Sequence, residues 1–263
     1  MKLVVSVILT FFPAFIENKL RKLLLNQEIG KGSKIGLLAI VKGKTVKIGN
    51  GTKIKPFSFV SAEHLEIGDH CIIKSFTIVS TRIVKIANYV HIANFAFIRS
   101  PHHEPSKISI GNHTRIFPFC WLDTNMGITL GNHVGIGGFS LIFTHGVWSN
   151  YFKGGPVTFK EVVIEDHVDL GASCTIDRGV TGNTTIKVGT KIDNQVHVRH
   201  DTVIGKKCLI AAQTGIAGCV VIDFEPMNEY RVTYTYTQEA LYRSHIGYVE
   251  LLNYVSNCIA AVH

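Results

Sequence analysis

Aliphatic side chains return every sixth residue along most of the chain. Ile204, Ile210, Ile216 and Ile222 form the clearest run. Ile48, Ile54, Val60; Ile67, Ile73, Val79; Ile86, Ile92, Ile98; Ile110, Ile116, Leu122; Leu130, Ile136, Ile142; Ile164, Leu170, Ile176; and Ile186, Ile192, Val198 repeat it. A period of six matches neither the helical 3.6 nor the simple strand repeat of two. Self-similarity at a fixed period is the mark of a solenoid. The spacing predicts a coil of three short flat faces, about eighteen residues per turn, with each aliphatic pointing to the axis. Stacked at about 4.8 Å per coil, some nine coils make a prism on the order of 40 Å long.

A second register agrees. Four residues after the aliphatic stands a small side chain, as at Thr52, Ser58, Cys71, Thr77, Ala96, Thr114, Cys120, Ser140, Cys174, Thr190, Cys208 and Thr214. Small groups let the chain turn a triangular corner without overfilling the interior. Glycine often follows the aliphatic, at Gly49, Gly68, Gly111, Gly131 and Gly205. There it is expected to supply backbone angles closed to other residues.

Three segments follow from where the repeat holds. Residues 1–28 are apolar to amphipathic, residues 29–222 carry the hexads, and residues 223–263 form a tail. The apolar stretch from Leu3 to Ile16 is too short to span a bilayer and contains Pro13. It reads either as a segment lying on a membrane surface or as a helix closing the open end of the prism. In the tail, the VTYTYT run predicts a strand and Gln238 to Ala261 a helix. Together they would cap the last coil.

Composition narrows the chemistry. The 263 residues carry a formal net charge of +8, which suits anionic partners such as coenzyme A phosphates, an acidic carrier protein or anionic lipid. No nucleic-acid motif is present. Four of the six cysteines fall in the small-residue register, so they read as buried packing groups of a reducing, cytoplasmic compartment.

The repeat breaks at 143–163, in FTHGVWSNYFKGGPVTFKEVV, and more briefly at Pro101 to Ser106, which holds His102, His103 and Glu104. Insertions in repeat proteins map to loops and often to the functional face. His145 stands in this insertion, and an imidazole can take a proton near neutral pH. Asp123 lies twenty-two residues earlier, about one coil away. Trp148, Asn150, Tyr151 and Lys153 in the same insertion are candidate substrate contacts.

The hexads resemble those of the left-handed β-helix acyltransferases over residues 29 to 222. That resemblance implies the left-handed sense, a homotrimer and active sites between neighbouring helices. The THG…GGPV…IEDHVDLGA stretch resembles the catalytic-loop region of sugar O- and N-acetyltransferases. It implies acetyl-CoA as co-substrate, His145 as base, Asp123 as the carboxylate that binds the acceptor or orients the site, and Gly171 and Ala172 as cofactor contacts. The sugar or nucleotide-sugar acceptor would belong to cell-envelope polysaccharide synthesis.

A second resemblance competes with it. Residues 161–222, with GASCTIDRG and KIDNQVHVRHDTVIGKKCLIAAQTGIAGCVVI, resemble the core of UDP-3-O-acylglucosamine N-acyltransferase, an enzyme of lipid A and hence lipopolysaccharide synthesis. That resemblance implies an acyl carrier protein thioester as donor, His200 as base and Asp193 as its partner. Two further readings are a non-catalytic scaffold and a zinc-bearing, carbonic anhydrase-like helix using His197 and His200.

Overall fold

The computed structural model describes residues 2–101, 105–146, 158–222 and 231–233. It is an all-β solenoid with three parallel sheets of ten, ten and nine strands and two helices at its start. The first face runs from Gln27–Ile29 to Val221–Ile222, the second from Lys34–Ile35 to Arg231–Thr233, and the third from Ile40–Lys42 to Gly215–Ile216. Equivalent aliphatics stack in register from coil to coil, as in Ile48↔Ile67, Ile86↔Ile110 and Ile186↔Ile204. All of them lie in one continuous buried core. This is the triangular coil that the six-residue period predicts.

The small-residue register does more than save space. Thr52 Oγ1 donates to Gly68 O (2.7 Å), Thr114 Oγ1 to Gly131 O (2.7 Å) and Thr190 Oγ1 to Gly205 O (2.7 Å). Each buried hydroxyl thus reaches a corner carbonyl of the next coil, which a buried polar group requires. Cys71, Cys120, Cys174 and Cys208 are buried free thiols, and burial pushes Cys120 up to about 11. These are packing groups, as expected.

The reason for the corner glycines differs from the expectation. Among Gly49, Gly68, Gly111 and Gly131 none has a positive φ. Their requirement is space. A Cβ on Gly49 would lie 2.6 Å from Gly68 C, and one on Gly111 would lie 2.5 Å from Gly131 C. Positive φ falls instead on larger residues, including Phe57, Phe76, Phe95, Phe119 and Phe139 on one edge and His70, Tyr89, His113, His133 and His167 on another. Left-handed geometry at such residues costs roughly 1–2 kcal/mol each. Stacking opposes that cost. The phenyl rings are 4.9–5.3 Å apart and nearly parallel, and the His–Tyr–His ladder is spaced at 4.8–5.3 Å. Such aromatic pairs contribute about 0.5–1.5 kcal/mol.

The N-terminal segment is helical: α1 spans Lys2–Leu9 and α2 spans Ala14–Leu25. Both pack on the first coil. Besides Leu9, the fully buried residues of this segment are polar. Arg21 Nε donates to Glu17 Oε1 (2.8 Å), and its Nη atoms reach Ser6 O (2.9 Å), Ser6 Oγ (3.1 Å) and Gln27 Oε1 (3.3 Å). Ser6 Oγ and Gln27 Nε2 both donate to Val41 O, and Leu38 N donates to Thr10 Oγ1 (3.1 Å). An open solenoid end presents unpaired backbone groups, so the plug that fits it must carry donors and acceptors. The end-cap reading of this segment is therefore what the structure contains.

At the other end, Arg231–Thr233 pairs parallel with Cys208–Ile210. The first part of the expected tail strand thus adds to the second sheet, beyond residue 222. The predicted helix from Gln238 to Ala261 lies outside the described residues.

Candidate active site

The three edges of the prism are not equivalent. The phenyl ladder lines the edge between second and third faces, and the His–Tyr ladder lines that between first and second. The remaining edge, where the third face turns into the first, carries both interruptions of the repeat and both candidate histidines.

Asp123 ends the strand Trp121–Asp123. Leu122 points to the axis, so Asp123 projects outward, yet it is only 3% exposed because the start of the insertion covers it. The insertion opens as a hairpin whose base pairs His145–Gly146 antiparallel with Thr158–Phe159. This pairing holds His145 against Asp123. His145 Nδ1 contacts Asp123 Oδ2, and Asn125 Nδ2 donates to Asp123 Oδ1. Thr144 N also donates to Asp123 Oδ2 (3.1 Å), and Thr144 Oγ1 donates to Asp123 O (2.7 Å). Met126 N closes the turn on Thr144 Oγ1 (3.1 Å).

A carboxylate only accepts, so the Nδ1 facing it carries the proton and Nε2 is left with its lone pair. The imidazole side chain is 44% exposed, against 5% for the carboxylate. A buried carboxylate thus orients an imidazole that stays open to solvent. Both Asp123 oxygens thus carry partners: Oδ1 accepts from Asn125, and Oδ2 faces Thr144 N and His145 Nδ1. Asn125 carries no motif and was not legible as a site residue.

His200 lies on the same edge two coils further on, about 10 Å along the axis. Its expected partnership with Asp193 is not formed. Asp193 is exposed and accepts from Asn194 N (2.7 Å), on the opposite edge of the third face. Seven residues are more than one hexad, so the two side chains leave from different corners. His200 Nδ1 instead meets Asp201 Oδ2 at 3.1 Å. Asp201 also accepts from Val180 N (2.8 Å), Thr181 N (2.8 Å) and Gly182 N (2.7 Å). Burial alone would raise the Asp201 carboxyl, but the N–H groups of Gly182, Val180 and Thr181 outweigh it and hold it well below the usual carboxylate range.

His197 Nε2 turns to Asp177 Oδ2 (3.0 Å), away from His200. Among the described residues one group could hold a metal ion: His200, Asp201 and Cys219. Asp201 is committed to the 180–182 turn, so the cluster reads as a loop anchor. Because the folded-state pKa of Asp201 is depressed, its stabilisation is present above about pH 4 and is lost as pH falls below that value. Amide protection at 180–182, measured by hydrogen exchange, is expected to fall selectively below pH 4. In Asp201→Ala it is expected to be low throughout.

Gly171 and Ala172 sit on the edge between second and third faces, not beside His145. Ala172 N donates to Asn194 Oδ1 (2.7 Å), and a Cβ on Gly171 would lie 2.6 Å from Asn194 N. Within one chain they are stacking residues of a tight corner. Trp148, Asn150, Tyr151 and Lys153 lie outside the described residues, as do His102, His103 and Glu104. A groove of about 860 Å³ runs along the first face past Asn50, Glu66, Lys85 and Asn112, and none of the His145 cluster lines it.

Fold and site together define a hexapeptide-type β-solenoid with a carboxylate-oriented histidine on one edge. No protein-family model matches the chain. It is 41% identical over 110 residues to a UDP-3-O-acylglucosamine N-acyltransferase of Rhodopseudomonas palustris (strain BisB5), covering 42% of this chain and 29% of that one. It is 39% identical over 109 residues to the protein of that name from Caulobacter vibrioides (strain NA1000 / CB15N), covering 40% and 30%. The match thus spans less than a third of those relatives. Among solved structures, the polySia specific acetyltransferase NeuO aligns over 81% of this chain and 89% of its own, with a TM-score of 0.38 and 14% identity. The sequence similarity bears out the resemblance to hexapeptide-repeat acyltransferases.

Proposed function

We propose that the protein is an acyltransferase that moves an acetyl or other acyl group from a CoA thioester to a sugar hydroxyl or amine in cell-envelope polysaccharide synthesis. The observation that carries this reading is the pairing of exposed His145 with buried Asp123. In the proposed step, His145 Nε2 takes the proton of the acceptor O–H or N–H as that atom attacks the thioester carbonyl. The C–S bond then breaks, the acyl group stays on the acceptor, and the thiolate leaves and takes up the proton. The thioester is already activated, so a base and positioning are the chief demands. Backbone N–H groups of a turn would stabilise the oxyanion. A homotrimer, with a neighbouring helix completing each site, fits the flat faces and belongs to the same proposal.

Thioester consumption, followed with a thiol reporter across sugar acceptors, tests it. Asp123→Asn is expected to lower kcat by a factor of about 100 or more with little change in KM. The amide can present N–H to Nδ1 and reverse the tautomer. An unchanged kcat in Asp123→Asn would remove Asp123 from the mechanism.

The 41% identity supports a second reading, an acyl carrier protein-dependent N-acyltransferase acting on a UDP-sugar. It predicts turnover only with the carrier-protein thioester, and dependence on His200. No turnover with either donor would leave a scaffold.

A further inference from the structure

The cap formed by α1 and α2 is inside out. Its buried side chains are Leu9 and the polar Ser6, Thr10, Glu17 and Arg21, which meet backbone groups of the first coil and one another. Most of its largest apolar side chains lie on the opposite surface. Phe11, Phe15 and Leu23 are 66%, 70% and 79% exposed, and Val4, Ile8 and Phe12 are exposed with them. On α2 the outward face is Phe15, Lys19, Lys22 and Leu23, at i, i+4, i+7 and i+8, opposite Glu17 and Arg21. Large exposed apolar side chains grouped on one short segment mark an interaction site.

Charge identifies the occupant. Glu17 is the sole acid between residues 1 and 26, and it is buried against Arg21. The charges that remain are Lys2, Lys19 and Lys22, with Lys19 and Lys22 exposed. A second copy of this surface would bring lysines against lysines with no carboxylate to answer them. An anionic bilayer answers both features, since acyl chains take up the phenylalanines and leucine while headgroup phosphates pair with the ammonium groups. No described helix is long and apolar enough to cross a membrane, so the contact would be interfacial.

We propose that the outward face of the α1–α2 cap is an interfacial anchor that binds anionic lipid membranes. His145 lies five coils from the first, about 24 Å along the axis. Vesicle binding and acyl transfer are therefore separable.

Flotation of the full chain with phosphatidylglycerol-containing vesicles, and with phosphatidylcholine vesicles as control, tests the proposal. Binding is expected with the anionic vesicles and is expected to weaken in high salt. Lys19→Glu/Lys22→Glu is expected to weaken it by roughly 30-fold or more. Phe11→Ser/Phe15→Ser/Leu23→Ser is expected to abolish it while leaving the melting temperature within a few degrees of the parent. The unmodified chain is read out by lipid composition and salt alone, so the test does not depend on a variant folding. Absence of binding to anionic vesicles, or equal binding to both compositions in high salt, would overturn the proposal. So would self-association that the serine variant alone removes, in the absence of vesicle binding.

Discussion

His145→Ala is expected to lower acyl transfer by about 10²- to 10⁴-fold, the range for loss of a positioned general base. His200→Ala is expected to leave it within a few-fold. The contrast follows from what each imidazole touches. The His145 side chain is exposed, with its Nδ1 against a buried carboxylate. His200 is tied to Asp201, whose oxygens are engaged in holding the 180–182 turn. Turnover with acetyl-CoA and with an acyl carrier protein thioester, measured for both variants, decides between the loop site and the second-half site. If His200→Ala is dead and His145→Ala is active, the lipid A-type reading takes precedence.

The second large effect is on stability. Arg21→Met is expected to destabilise the fold by about 3–5 kcal/mol, because it leaves Glu17 buried without its partner. Burial already pushes the Glu17 carboxyl up against the opposing pull of Arg21, and it pushes the Arg21 guanidinium down. The double variant Glu17→Leu/Arg21→Met removes both charges and is expected to recover most of that loss. Denaturant unfolding of the two single variants and the double gives the coupling directly. A loss below about 1 kcal/mol in Arg21→Met would mean that the cap contributes little to the folded state.

Different parts of this architecture were legible to different degrees. Ile48, Ile67 and Ile86 could be placed on one face by counting, because a six-residue face repeats the same environment. The small register at Thr52 or Cys71 could be read from volume alone, while its hydrogen bonds to the next coil could not. The glycines were found for the wrong reason. Counting marks Gly49 and Gly111 as corner residues, but only the stacking of Gly68 and Gly131 above them reveals that space, not φ, excludes a side chain. The ladders of Phe57 to Phe139 and His70 to His167 escaped notice, although they share one register, because an exposed aromatic at a single corner has no obvious partner.

The site divides in the same way. The insertion marks His145, and the resemblance to sugar acetyltransferases points to Asp123, about one coil away. Asn125 and Thr144 are recognisable only once the hairpin base of His145–Gly146 and Thr158–Phe159 folds back over the carboxylate. For His200 the resemblance to the lipid A enzyme pointed to Asp193, but the two side chains leave from opposite edges of the third face.

From the sequence alone came the solenoid, its three faces, its approximate coil number and the place where the repeat opens. A repeat carries its environment with it, so each local choice restates the global fold. The tertiary structure decided which carboxylate each histidine meets, why the glycines are needed, and that the N-terminal helices bury the Glu17–Arg21 pair and expose their phenylalanines. These depend on what the neighbouring coil or the open solenoid end presents. That end presents unpaired backbone N–H and C=O groups, so it selects polar partners and turns the usual order of a capping helix outward.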